Sequence, residues 1–313
     1  MNEKTFFGVL RLYKNLKIVA LLTTIAMVFV QIGGALVTKT GSADGCGDSW
    51  PLCHGQLIPA DWPIETIIEL AHRGVSGIAI ILLALLCIMA LKQIPHIRET
   101  KFLVAVSFGF IIIQSLIGAA AVIGIWEGDF VLAAHFGISL ICFAAVFLLT
   151  LLIFEVDKKY DATILMIGPF LRYNTIFLTI YIYFVVYSGA LVRHTDSSLA
   201  CMSWPHCGPE SIWAVNFYQW VQMSHRLAAF IAIVWVFLIM IHAIRKYSHY
   251  RVIKYGWIIA FTLIAMQAVT GMLSIFTMVN IFIALLHALF ITLLFGLLCY
   301  FIMLLSRSKN NTK

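Results

Sequence analysis

The chain has 313 residues, of which 62% are hydrophobic and 11% charged, and its formal net charge is +7. Soluble domains carry about 25% charged residues, so this composition excludes an ordinary soluble globular protein. A mean hydropathy of +0.98 and apolar runs as long as a bilayer is thick indicate a polytopic membrane protein instead.

Eight apolar runs follow one another along the chain, and each is long enough to cross the hydrocarbon layer. All of them must be helical, because lipid offers no partner to unpaired backbone groups. The second and sixth helices are expected to begin earlier than their apolar runs, in the water outside. The predicted spans cover residues 18–37, 68–91, 102–123, 132–154, 174–192, 221–244, 255–277 and 281–304.

The positive charge lies mainly on one side of these spans, so it is explained by membrane topology and not by nucleic-acid binding. The positive-inside rule then places both termini in the cytoplasm. Most of the 21 lysines and arginines lie before span one, after spans two, four and six, or after span eight: Lys4, Arg11, Lys14, Lys17, Lys92, Arg98, Lys101, Lys158, Lys159, Arg172, Arg245, Lys246, Arg251, Lys254, Arg307, Lys309 and Lys313.

The two halves of the chain resemble each other, with four spans in each. This pattern predicts an all-α fold of two four-helix bundles related by a parallel internal repeat, residues 1–154 and 174–313, joined by the cytoplasmic loop 155–173. The repeat argues against a cleaved signal peptide in span one, because span five is its counterpart. The matched pairs are Gly34-Ala35-Leu36-Val37 with Gly189-Ala190-Leu191-Val192, Trp50-Pro51 with Trp204-Pro205, His72-Arg73 with His225-Arg226, Gln114 and Gly118 with Gln267 and Gly271, and His135 with His287.

Four histidines lie in the even-numbered spans, His72, His135, His225 and His287, and each apolar stretch ends 20 residues later at Lys92, Glu155, Arg245 or Arg307. At about 1.5 Å per residue this is about 30 Å, one hydrocarbon thickness, so the imidazoles share one depth near the outer face. Facing imidazoles on paired helices bind heme iron, which predicts two bis-histidine heme sites. The alternatives are packing histidines and a zinc site, and zinc would lack a third buried ligand in either half.

Two further sets of residues accompany the histidines. Arg73 and Arg226 each follow a predicted ligand, and each either contacts heme propionates or extends to the outer interface. Two outer loops carry the cysteine pairs Cys46 with Cys53 and Cys201 with Cys207. Cysteines this close outside the cytoplasm usually form disulfides, which here are either loop staples or redox-active pairs.

The two halves differ beside the histidines. Glu69 precedes His72 by three residues and therefore shares its helix face, whereas the counterpart of Glu69 is Gln222. Glu65 extends the same face and corresponds to Tyr218. A carboxylate in a low-dielectric pocket accepts a proton or stabilises a cation, so this asymmetry predicts chemistry in the first half and electron storage in the second. The alternative is that the acids only favour the start of the helix.

Taken together, these residues resemble the heme A synthase family in its bacterial form with two outer cysteine pairs. The resemblance covers the whole chain and rests on the eight spans, the Glu69-Leu-Ala-His72-Arg73 motif, His135, Ser224-His225-Arg226, His287 and the cysteine pairs. It implies that the C8 methyl of heme O is oxidised twice, with water as the oxygen source, to the formyl group of heme A for heme-copper terminal oxidases. It also implies that His72 and His135 bind the substrate, that Glu69 is catalytic and that His225 and His287 hold a permanent heme b.

The same resemblance implies a bacterial cell membrane location, heme sites toward the outer face, a heme O synthase as supplier and an electron acceptor that the residues do not identify. Nucleic acid is not an expected partner. A two-heme cytochrome b that only carries electrons is the main alternative. To carry them across the membrane it would need two hemes at different depths, whereas the four histidines share one depth. A heme exporter is less favoured, because the chain has no energising domain.

Overall fold

The computed structural model describes residues 3–126, 128–158, 160–208 and 213–310. Lys159 and Lys313, and the side chains of Lys4 and Arg11, lie outside the described residues. Eight helices in this part of the chain have the length and composition to cross a membrane, which confirms the predicted all-α membrane fold. They are α1 Glu3–Thr40, α2 Ile64–Gln93, α3 Arg98–Val122, α4 Asp129–Asp157, α5 Pro169–His194, α6 Phe217–Lys246, α7 Arg251–Phe276 and α8 Ile281–Arg307.

The helix ends are fixed by local caps rather than by the limits of the apolar runs. Pro63 immediately precedes α2 and Pro169 begins α5, positions where the missing proline N–H is no loss. Asn216 and Asn280 begin α6 and α8 by accepting backbone N–H groups of the first turn. As expected, α2 and α6 therefore start ahead of their apolar runs.

Two compact units make up the chain. One comprises Met1–Trp126 and Ile138–Asp161. In it, α2 packs against α1 and α3. Polar side chains bind α4 to α1: Gln31 Nε2 donates to Ser139 Oγ at 2.8 Å, and the hydroxyls of Thr24 and Thr150 are 2.8 Å apart. Such pairs satisfy polar groups that lipid cannot.

The other unit comprises Glu127–Gly137 and Ala162–Lys313. In it, α5 packs against α6 and α8, and α7 packs against the same two helices. At one end, strand β1, Met166–Ile167, pairs in parallel with strand β2, Lys309–Asn310. Arg172 Nη1 donates to the carbonyl of Leu305 at 2.6 Å and so caps the end of α8. Part of the predicted loop 155–173 is therefore ordered by hydrogen bonds to the end of α8 and to the strand that follows it.

Candidate functional site

His72 lies half buried on α2, against two glycines of α1. A Cβ at Gly33 would be 2.9 Å from His72 Nδ1, and one at Gly34 would be 3.5 Å from Cε1. The first distance is shorter than real Cβ contacts allow, so position 33 must be glycine for the imidazole to lie where it does. The Gly33-Gly34 pair therefore makes room for the ring that the sequence predicts as a ligand.

Glu69 lies one turn from His72 on α2 and is only 3% exposed. Its Oε2 accepts a hydrogen bond from the backbone N–H of Cys46 at 2.7 Å, and its Oε1 pairs with Arg73 Nη2. Each carboxylate oxygen thus has one partner and retains a further lone pair for a second donor. By contrast, Glu65 is exposed at the start of the helix.

Arg73 connects α2 to the first outer loop. Besides Glu69, its guanidinium donates to the carbonyls of Ser49 at 2.8 Å and Leu52 at 2.6 Å. The same loop is closed by the disulfide Cys46–Cys53, whose side chains are fully buried. Arg73 therefore joins the helix, the carboxylate and the disulfide loop, and its contact with heme propionates stays a prediction.

The second outer loop is held in a corresponding way. Gln222 Oε1 accepts the backbone N–H of Cys201 at 2.6 Å, while Gln222 Nε2 donates to the carbonyl of Ser198 at 2.8 Å. Arg226 donates to the carbonyls of Cys201 and Ser203, both at 2.8 Å. Cys201 is joined to Cys207. The amide thus repeats the hydrogen bond that Glu69 accepts, but carries no charge and forms no ion pair.

His225 is half buried and held from α5. Its Nδ1 is 2.8 Å from Ser188 Oγ, and a Cβ at Gly189 would be 2.9 Å from its Cε1. The hydroxyl and the glycine, consecutive on α5, therefore contact the neighbouring ring atoms Nδ1 and Cε1, and together they fix the orientation of the imidazole.

His287 is half buried on α8 and held from α7. Its Nδ1 lies 3.0 Å from the carbonyl of Gln267 and 3.2 Å from Thr270 Oγ1. The side-chain amide of Gln267 reaches Nε2 at 3.0 Å. A Cβ at Gly271 would be 3.0 Å from Cε1, tighter than most Cβ contacts, so this glycine leaves room for the ring.

His135 is half buried on the first turns of α4. Two residues later, a Cβ at Gly137 would overlap the hydroxyl of Tyr187 on α5. That hydroxyl is 3.2 Å from the hydroxyl of Tyr183. Glycine at 137 therefore leaves room for the Tyr187 side chain to pack against α4 near the helix turn that carries His135.

The four imidazoles suit heme iron by their chemistry and surroundings. Each is half buried, and glycines lie directly against His72, His225 and His287. Where Nδ1 is held by an oxygen, the other ring nitrogen keeps its lone pair for a metal. The residues present therefore fit a bis-histidine heme ligand set, and Gln267 would have to release Nε2 of His287 for iron to bind there.

Sequence reasoning missed Ser188 and Thr270. Hydroxyls inside apolar spans commonly bond to their own helix, so a serine or threonine there does not by itself indicate a site. The repeat contains the signal that identifies them. Both residues directly precede a glycine that is matched in the other half, and Ser188 stands before Gly189 where the first half has Gly33 before Gly34; Thr270 stands before Gly271.

The chain is similar in sequence to several known proteins. Residues 60–299 match the family described as COX15-CtaA, cytochrome oxidase assembly protein. The Heme A synthase of Macrococcus caseolyticus (strain JCSC5402) is 65% identical over 298 residues, 95% of this chain and 99% of that protein. The Heme A synthase of Geobacillus kaustophilus (strain HTA426) is 55% identical, covering 95% of this chain and 93% of that protein. That of Staphylococcus epidermidis (strain ATCC 12228 / FDA PCI 1200) is 53% identical over 96% of this chain and 99% of its own length.

Proposed function

The chain belongs to the heme A synthase family, COX15-CtaA, and on that premise we propose that it converts heme O into heme A in the membrane. The C8 methyl of heme O is oxidised to a formyl group by successive hydroxylations, and the product serves heme-copper terminal oxidases. The observation that carries the assignment of the active half is Glu69, a buried carboxylate one turn from His72, where the second half has the amide of Gln222.

We assign His72 and His135 as the ligands of the substrate heme. Both are half buried, and imidazole is a suitable axial ligand for heme iron. The contact of His72 with Gly33 supports this role, since it keeps the ring on the side of α2 that carries Glu69. Ligation by these histidines would hold the porphyrin edge near the carboxylate.

Glu69 is proposed to accept a proton from water or to stabilise developing positive charge on the substrate. Each hydroxylation replaces a C–H hydrogen by a hydroxyl group from water and releases a pair of electrons and a pair of protons. The geminal diol formed by the second hydroxylation loses water and leaves the formyl group. Cys46 N–H and Arg73 hold the carboxylate in one orientation, so its free lone pairs face a constant direction.

We assign His225 and His287 to a resident heme b. When bound, that heme supplies one-electron transfer away from the substrate site toward a membrane electron acceptor. The position that matches Glu69 carries an amide here: Gln222 binds only backbone groups of the loop, and Gln267, which contacts His287, is an amide as well. An amide in place of the carboxylate suits electron storage better than hydroxylation.

The proposed placement has both termini in the cytoplasm and both disulfide loops and heme sites toward the outer face of a bacterial membrane. The distribution of lysine and arginine supports this orientation, and disulfides belong on the oxidising side. We also propose that the halves, residues 1–154 and 174–313, are four-helix bundles related by a parallel repeat, with 155–173 as the link between them. A heme O synthase in the same membrane would supply the substrate.

Co-expression with a heme O synthase in a host that makes no heme A tests the function. Hemes are extracted and identified by chromatography and mass. Appearance of heme A supports the proposal. If heme O accumulates unchanged while the purified protein contains only b-type heme, the protein is an electron-carrying cytochrome and the proposal is wrong.

A further inference from the structure

The hydroxyl of Ser188 contacts both a carbonyl of its own helix and the ring of His225. Its oxygen lies 2.7 Å from the carbonyl of Val185 and 2.8 Å from His225 Nδ1. The hydroxyl donates its single hydrogen to the Val185 carbonyl, so only its oxygen lone pairs are left for the imidazole. The oxygen must then accept from Nδ1–H, which leaves the lone pair of the imidazole on Nε2.

Thr270 holds the other histidine of the second half in the same manner. Its hydroxyl donates within α7, to the carbonyl of Met266 at 2.9 Å or of Gln267 at 3.0 Å. Its oxygen is 3.2 Å from His287 Nδ1, which the Gln267 carbonyl also approaches, at 3.0 Å. Here too Nδ1 is the donor, and Nε2 keeps its lone pair.

The matched positions of the first half carry no hydroxyl. In the register of the repeat, Ser188 corresponds to Gly33, and Thr270 corresponds to Ile117. Glycine at position 33 has no side chain, and the aliphatic side chain at position 117 cannot accept a hydrogen bond. Both predicted ligands of the second half have a hydroxyl acceptor that the first half does not encode at the same places.

We propose that Ser188 and Thr270 are positioning residues that make the second half a retaining heme site. This rests on the proposed function, in which one heme stays while the other leaves as product. An acceptor at Nδ1–H fixes the tautomer and ring orientation and makes Nε2 a stronger donor to iron; losing such a partner typically costs about 10–100-fold in metal affinity. A stronger donor also favours ferric over ferrous iron.

Purified protein containing its heme b tests this with Ser188→Ala and Thr270→Val. We expect each to release heme to excess apomyoglobin about 10–100-fold faster than the parent and to show a higher midpoint potential. A tenfold loss of the ferric preference corresponds to about 59 mV for a one-electron couple. Ser188→Thr and Thr270→Ser keep the hydroxyl and should retain parental values.

Thr262→Val is the matched control, because Thr262 makes the same kind of bond within α7, to Ile258 at 3.0 Å, and is exposed. It should leave retention and potential unchanged. The inference is wrong if Ser188→Ala and Thr270→Val keep parental retention and potential, or if Thr262→Val alters them equally. The proposed function stands in that case, provided that the parent still makes heme A. A parent that carries no b-type heme overturns both the inference and the heme b assignment.

Discussion

Glu69 Oε2 accepts the backbone N–H of Cys46 at 2.7 Å, so the buried carboxylate beside His72 is attached directly to a disulfide-bonded residue. The second half contains the same attachment without the charge, since Gln222 accepts the N–H of Cys201 at 2.6 Å. An acid and an amide therefore support the two loops alike. The hydrogen bond to the loop is common to both, so the two positions differ in charge, in basicity and in their second partner, which is Arg73 for Glu69 and the Ser198 carbonyl for Gln222.

The disulfide of the first loop should matter for turnover because it fixes the donor that orients Glu69. With Cys53→Ser, Cys46 is no longer tied to its partner, and its N–H can move relative to the carboxylate. Displacements of about 1 Å near a reacting centre cost up to about 10²-fold in rate. We expect heme A formation to fall by up to that factor, measured by heme extraction. Cys207→Ser, in the loop that is held by the amide of Gln222, should have the smaller effect; equal effects would mean that the disulfides act only on stability.

Gly33→Ala should impair the first heme site by displacing His72. The new Cβ would lie 2.9 Å from Nδ1, so the ring has to shift. We expect heme A output to fall by about 10-fold or more, as for other misplaced groups, while heme b in the second half is retained. Gly77→Ala on α2 is the control, because nothing lies within 4 Å of a Cβ there. Wild-type output from Gly33→Ala would remove His72 from the proposed ligand set.

His225→Ala or His287→Ala should deplete heme b from the purified protein, because loss of one axial imidazole weakens the ligation of the iron. The measurement is the content of extracted heme B and the low-spin spectrum after reduction. His249→Ala, remote in sequence from the predicted ligands, serves as the control. Full heme b with an unchanged spectrum in both variants would contradict the assignment.

The topology is tested by labelling introduced cysteines in intact cells. Leu57 and Met166 are 83% and 49% exposed and lie in an outer and a cytoplasmic segment of the proposed placement. Leu57→Cys should react with an impermeant thiol reagent and Met166→Cys only after lysis. Four native cysteines are in disulfides, Cys87 and Cys142 are buried, and only the half-buried Cys299 of α8 needs replacement to keep the background low. The reverse labelling pattern would invert the placement.

Much of the fold could be predicted from the sequence, because lipid allows only helices and apolar runs therefore mark them. The helix ends could not, since α1 extends to Glu3 through polar residues and α5 begins at Pro169, both beyond the apolar runs. Hydropathy measures what lipid tolerates, whereas a helix continues until its backbone finds a cap.

Those parts of the site that depend only on helix geometry could be predicted from the sequence. The spacing of Glu69 and His72 fixes them on one face of α2, as the structure has them. The contact of Glu69 with Cys46 depends on the path of the loop, and the partners of Arg73 depend on the same path, which no local pattern encodes. The contacts of Ser188 and Thr270 with the histidines could not be predicted, because hydroxyls in apolar helices also bond within their own helices, as these two do.

Glu69→Gln separates the chemistry of the carboxylate from its structural role. The substitution keeps the size of the side chain and an oxygen that can accept Cys46 N–H, as Gln222 does for Cys201. It removes the ion pair with Arg73 and the basicity needed to accept a proton or stabilise a cation. Heme binding should therefore survive, whereas turnover should fall by about 10²–10⁴-fold, the usual range for general acid–base catalysis. Cells should accumulate heme O or a partly oxidised intermediate.

The reciprocal Gln222→Glu should create no activity, because its half would still hold heme b. Heme A production at the parental rate by Glu69→Gln would reduce Glu69 to a clamp for the disulfide loop and move the search for the catalytic group to other residues around His72 and His135.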